Sequence, residues 1–221
     1  FNVGQSWDIG RFIKTLIYFD SIPPIRCIKS MFFSTPPLPP PLPLANILFD
    51  FRQSNMAINQ IWGVLDDVVM GGASASQIQQ SSSGLVFKGV VSTANSGGFA
   101  SVRTRNFQPP LNLSQFRGLS LHLQGDGNRY KFLIRDENTW DSLAYSYSFS
   151  TTAQEWATVR IPFDQLIPVF RAKTVKTAAP LDTSRIQSLQ LMLSKFEYDG
   201  NLNPQFTPGQ FQLLLESIHL Y

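Results

Sequence analysis

The chain is expected to be all-β, an antiparallel β-sandwich. Three observations predict this: residues that alternate apolar and polar in short runs, turn residues between those runs, and no long helical period beyond residue 46. Leu119, Leu121 and Leu123 alternate with Ser120, His122 and Gln124, and Leu189, Leu191 and Leu193 with Gln190, Met192 and Ser194. Leu143, Tyr145, Tyr147 and Phe149 alternate with Ala144, Ser146, Ser148 and Ser150. Such a period of two buries one side of a strand and leaves the other polar. Further strands are expected over 47–51, 85–91, 98–104, 129–135, 156–161 and 210–220. In the last, Phe211, Leu213 and Leu215 change phase to Ile218 and Leu220, which places a bulge near Glu216 or Ser217. Gln124-Gly-Asp-Gly-Asn128, Asp199-Gly-Asn201 and Thr207-Pro-Gly209 supply turns. About nine short strands point to two packed sheets with Greek-key or jelly-roll wiring, which protects sheet edges.

The segment before the sandwich reads differently. Ile9, Phe12, Ile13, Leu16 and Ile17 fall on one face of a helix over 8–19, with Arg11, Lys14 and Thr15 on the other. Pro23 and Pro24 end that helix, and a shorter apolar piece spans Ile25 to Phe33. Pro36-Pro-Leu-Pro-Pro-Pro-Leu-Pro43 is a polyproline spacer. The expected organisation is an amphipathic helical leader over 1–35, a Pro-rich linker over 36–45 and the β-sandwich over 46–221. A helix on such a tether can pack on the sandwich, lie in a membrane interface or dock into a partner's groove. The spacer favours a tethered helix. Its two basic residues suit an anionic membrane, at about 1 kcal/mol per basic residue.

The net charge of +3 contains no dense Lys/Arg stripe, so a nucleic-acid partner is not expected. Cys27 is the single cysteine, so no intrachain disulfide is available and a reducing compartment is favoured. No apolar run approaches the ~20 residues of a membrane span. The chain starts at Phe1, which leaves targeting unread.

Catalytic groups are sparse. His122 and His219, the two histidines, sit in alternating strands, where surface or hydrogen-bonded roles are the common ones. Neither a Gly-x-Ser-x-Gly elbow nor a Cys/His metal cluster is present, and the glycine pairs lack the Gly-x-Gly-x-x-Gly spacing of a dinucleotide cradle. No metal and no cofactor are expected. Attention therefore falls on Trp62-Gly-Val-Leu-Asp-Asp-Val-Val-Met-Gly-Gly-Ala-Ser74 and Ser96-Gly-Gly-Phe-Ala-Ser101. Asp66 and Asp67 read either as an acid/base pair or incomplete calcium shell, or as acceptors for backbone N–H groups of the Gly71-Gly72 turn. Trp62, Trp140 and Trp156 with Tyr145 and Tyr147 read either as a sugar platform or as core and sheet aromatics. A carbohydrate site would draw on Asp66, Asp67, Asn95, Arg103 and Trp140.

Trp62, Asp66-Asp67, Val69-Met-Gly-Gly72 and Ser74 resemble the opening signature of the complex I intermediate-associated protein 30 family. Phe87 with Gly89, Gly97-Gly-Phe-Ala-Ser101 with Arg103, Gly125-Asp-Gly127 with Tyr130, Trp156, Pro162-Phe163, Phe170-Arg171 and the closing 211–221 strand continue the resemblance over about 47–221. Ala172 departs from the glycine that pattern leads one to expect. The resemblance implies a galactose-binding-like β-sandwich and a non-enzymatic assembly factor that binds protein subunits or intermediates of a membrane electron-transfer complex. Trp7 through Pro23 is similar to leader segments of cyanobacterial and plastid relatives, which implies peripheral attachment to a thylakoid-like membrane, with the mitochondrial matrix as the alternative. Candidate binding residues are Trp62, Asp66, Asp67, Met70, Gly71, Gly72, Asn95, Gly97, Gly98, Phe99, Arg103 and Trp140, and the membrane or partner helix presents Ile9, Phe12, Ile13, Leu16 and Ile17.

Overall fold

The computed structural model describes residues 8–19, 46–53 and 57–221. The polyproline spacer, Cys27 and the 25–33 piece lie outside the described residues. Thirteen strands follow in chain order among the described residues: β1 (Ile47–Asp50), β2 (Trp62–Val64), β3 (Ala75–Ser81), β4 (Gly84–Val91), β5 (Phe99–Thr104), β6 (Gly118–Gln124), β7 (Arg129–Arg135), β8 (Ala144–Ser150), β9 (Trp156–Pro162), β10 (Ile167–Phe170), β11 (Lys173–Thr174), β12 (Ser188–Ser194) and β13 (Gly209–Leu220). They form a β-sandwich of two antiparallel sheets. One sheet has the order β3-β4-β13-β6-β9, with β1 also on β13, and the other β11-β10-β8-β7-β12-β5-β2.

The alternating leucines explain the packing. Leu119, Leu121 and Leu123 of β6 and Leu213 and Leu215 of β13 face Tyr130, Phe132 and Ile134 of β7 and Leu189, Leu191 and Leu193 of β12 in one core cluster. At about 25 cal/mol per Å² of apolar surface, burial of this kind dominates stabilisation of the domain. The pairing of β13 with β6 shifts register between Leu215 and Ser217, the bulge expected from the phase change.

Four strands escape the periodicity reading. β3 is polar, with Ala75, Gln77 and Gln79 exposed, because it is a sheet edge that pairs only with β4. The other three, β2, β10 and β11, hold at most four residues each, too few to show alternation. A four-residue helix, α2 (Ile58–Ile61), precedes β2.

Helix α1 (Ile9–Tyr18) begins at Asp8, whose carboxylate caps Arg11 N at 3.0 Å. Of the three placements open to it, the helix packs on the sandwich. Arg11, Thr15 and Tyr18 meet the sandwich, while Ile9, Ile13 and Ile17 are 58%, 48% and 39% exposed. Phe12 and Leu16 are half-buried. The polar face turns inward because it finds partners there: Arg11 reaches Asp66 at 2.7 Å and the Ser74 carbonyl at 2.8 Å. The Tyr18 hydroxyl donates to the Asn59 carbonyl at 3.0 Å, and its ring lies under Arg105 at 4.2 Å. Gly63 supplies the clearance, since a Cβ there would stand 2.2 Å from the Tyr18 ring.

Between β10 and β11, Arg171 and Ala172 adopt φ of 48° and 62°, the double left-handed turn that favours glycine. A side chain there costs about 1 kcal/mol. Ala172→Gly is therefore expected to raise unfolding stability by about 1 kcal/mol in urea denaturation.

Candidate functional site

The motif of 62–74 folds around two carboxylates. Asp66 ends the extended segment, and Asp67 opens a 3-10 turn (Asp67–Met70) that Gly71 closes with φ of 87°. As neighbours, the two side chains diverge, and each captures one serine twice. Asp67 accepts from Ser74 N at 2.9 Å and Ser74 Oγ at 2.6 Å, Asp66 from Ser76 N at 2.8 Å and Ser76 Oγ at 2.6 Å. Both also reach the start of β5, Asp67 at Gly98 N (2.7 Å) and Phe99 N (3.2 Å), Asp66 at Ser101 N (3.2 Å). Arg11 completes the Asp66 set at 2.7 Å.

The glycine pairs are the walls of the Asp67 site. A Cβ on Gly72 would lie 2.3 Å from Asp67 Cγ, and one on Gly97 2.5 Å from Asp67 Oδ2. Gly98, at φ of 140°, aims its N–H at the same oxygen. The Gly71-Gly72 turn does not bond the Asp67 carboxylate as expected; Gly72 N donates to the Asp67 backbone carbonyl at 2.9 Å. Close approach to the carboxylate requires one glycine of each pair, Gly72 and Gly97, while Gly71 and Gly98 supply the positive φ.

Other expected binding residues separate. Trp62 is buried against Phe49 and Phe51, with ring centroids at 5.6 and 6.0 Å, so it belongs to the core. Met70 is 76% exposed, Asn95 is exposed and Phe99 is half-buried. Arg103 and Trp140 do come together, the guanidinium 5.6 Å from the indole centroid. Asp66 and Asp67 are fully enclosed by donors, so the carbohydrate set of Asp66, Asp67, Asn95, Arg103 and Trp140 does not form one surface. Trp156 stacks on His122 at 5.0 Å on the opposite sheet.

Sequence reasoning missed a cationic face on the outer side of the larger sheet. Arg103 (β5), Gln190 (β12) and Leu133 (β7) are register partners across it, and Arg135 pairs with Ser188 on the same face. Gln190 accepts from Arg135 Nη1 at 2.8 Å and donates to Ser101 Oγ at 2.9 Å, which links this face to the Asp66 site. Lys131 is buried too, its Nζ donating to the Phe196 and Glu197 carbonyls, and burial lowers its pKa to about 8. The signal available was long polar side chains at outward strand positions, which ordinarily face solvent.

The chain belongs to a known family. The family model for complex I intermediate-associated protein 30 matches residues 49–215. An uncharacterised protein of Schizosaccharomyces pombe is 31% identical over 184 residues, 76% of this chain and 81% of the relative. Among solved structures, the family 11 carbohydrate-binding module of Clostridium thermocellum, in complex with a β-1,3-1,4-mixed-linked tetrasaccharide, aligns at a TM-score of 0.54 and 18% identity. That likeness covers 79% of this chain and 94% of the module. An agarase aligns at 0.53 and 11% identity, over 79% of this chain and 26% of the enzyme. These likenesses establish the galactose-binding-like jelly-roll fold.

Two predictions follow from the carboxylate geometry. Gly72→Ala, which meets the Asp67 carboxylate, should lose about 2–4 kcal/mol, and Gly71→Ala, with open space and only a positive φ, about 1 kcal/mol; chemical denaturation separates them. Burial outweighs its donors and raises the Asp66 pKa from 3.8 to about 6. The folded state thus holds this proton more tightly than the unfolded chain, so the contribution is present below 3.8 and lost as pH rises through about 6, roughly 3 kcal/mol in all. Asp66→Asn should remove that slope from stability measured across this window, and Arg11→Met, by deleting a charge that lowers the pKa, should move it upward in a carboxyl NMR titration.

The protein is thus a member of the complex I intermediate-associated protein 30 family, a β-sandwich in which Gly72 and Gly97 wall in the signature Asp67.

Proposed function

We propose that this protein is a non-enzymatic assembly factor that binds subunits or intermediates of a membrane electron-transfer complex. Family membership carries the reading, because that family is associated with complex I intermediates. The geometry supports it in two ways. The motif carboxylates spend their acceptor capacity on internal donors, which leaves them no substrate to activate. Helix α1 is held by its polar face and turns Ile9, Ile13 and Ile17 outward, with Met70 also exposed on the 3-10 turn it contacts. Apolar surface of this kind suits transient cover of a client face until a later subunit replaces the factor.

No described helix is long and apolar enough to cross a membrane. The same stripe, with Lys14 exposed beside it, suits attachment to the surface of the membrane that carries the complex. The docked helix then acts as a presented anchor.

Ile9→Glu with Ile13→Glu leaves the Arg11, Thr15 and Tyr18 contacts in place, so the melting temperature should hold. Affinity capture with mass spectrometry should show a several-fold loss of electron-transfer-complex subunits relative to the unsubstituted protein. Undiminished recovery of those subunits would remove α1 from the client surface.

A further inference from the structure

Two arginines on the outer face of the larger sheet carry charge without an ion-pair partner among the described residues. Arg103 is 3% exposed and makes two hydrogen bonds, from Nε to Ser188 Oγ and from Nη1 to the Trp140 carbonyl, both at 3.3 Å. Those distances exceed the usual range for an N–H donor. Arg135 spends Nη1 on Gln190, and its buried Nε has no hydrogen-bond partner among the described residues. No carboxylate lies within ion-pair distance of either among the described residues. Asp141, an acid on the loop between β7 and β8, is taken by Arg171.

The two guanidiniums also oppose each other. Burial lowers the pKa of Arg103 to about 10, and burial together with the Arg103 charge pushes Arg135 well below its ordinary value, which the more distant Asp141 offsets only in part. Guanidinium groups keep their protons in proteins, so the opposition appears as a cost to folding. A costly, incompletely bonded pair of this kind is what an oxyanion would complete.

We propose that Arg103 and Arg135 form a binding site for a carboxylate carried by an acidic peptide segment of a client protein. The unpartnered Nε of Arg135 belongs to the guanidinium edge that grips a carboxylate with two parallel bonds. A carboxylate oxygen would also replace the long contact from Arg103 to the Trp140 carbonyl. Trp140 covers Arg103, is half-buried, and sits on a loop whose Glu137, Asn138, Thr139 and Asp141 are exposed. The same loop holds Ser142, whose buried hydroxyl has no partner among the described residues. Trp140 is thus the lid of the site. A peptide occupant, in preference to an acidic sugar, rests on the assembly-factor reading above.

The test is calorimetry on the full chain with blocked hexaglutamate, glucuronate, inorganic phosphate and, as a charge control, hexalysine. Hexaglutamate should bind saturably, and Arg135→Gln should weaken it by at least about tenfold. Arg135→Met, which removes a half-buried charge, should likewise lose hexaglutamate binding yet melt no lower than the unsubstituted protein, so the loss cannot be ascribed to unfolding. Absent hexaglutamate binding, binding unaffected by Arg135→Gln, or tighter binding of glucuronate or phosphate would each overturn the proposal. Affinity capture separates the two readings. Hexaglutamate binding without recovery of complex subunits would sink the assembly role and spare the site; recovery without hexaglutamate binding would do the reverse.

Discussion

The buried carboxylate of Asp67 is the constraint from which the local architecture follows. A buried carboxylate with no ion-pair partner among the described residues must be satisfied by hydrogen bonds, and here four donors do so: the amide and hydroxyl of Ser74 and the amides of Gly98 and Phe99. Hydrogen bonds to a charged group contribute roughly 1.5–3 kcal/mol each, which exceeds the propensity cost of any glycine in the site. To bring these amides close, the chain gives up side chains at positions 72 and 97. The result ties the turn after β2 to the start of β5 and the approach to β3.

Asp66 extends the same device outward. It repeats the serine capture one pair further along and adds Arg11, so an element from outside the sandwich is recruited by a carboxylate at the sheet's edge. From Asp66 the connections continue through Ser101 and Gln190 to Arg135. An acidic pocket and a basic face are therefore parts of one network. Phe19, just beyond α1, packs on Trp140 at 5.6 Å, so the helix also touches the loop above Arg103.

Much of the sandwich was legible because a strand with one buried side must alternate, as the leucines of β6 and β12 do. β3 was not, since an edge strand buries little and its sequence carries no such trace. The paired glycines and aspartates announced close backbone approach. Their real partners lie as far as 55 positions away in sequence, and only the fold brings them together. The orientation of α1 depends on partners that no helical period reveals. An apolar stripe ordinarily turns inward, yet an ion pair and a hydrogen-bonded tyrosine hold this helix the other way round. Arg135 was invisible because outward strand positions normally meet water, whereas here the side chain is half-buried and its Nε is shut off from solvent.

β1 lies alongside the end of β13, with Ile47 opposite His219 and Leu220 N bonded to the Asn46 carbonyl at 2.7 Å. Entry to and exit from the sandwich are therefore neighbours on a single sheet. A unit built this way has the geometry of a cassette: it can be spliced into a loop of a host polypeptide, or reconnected by joining its old ends, without stretching either partner.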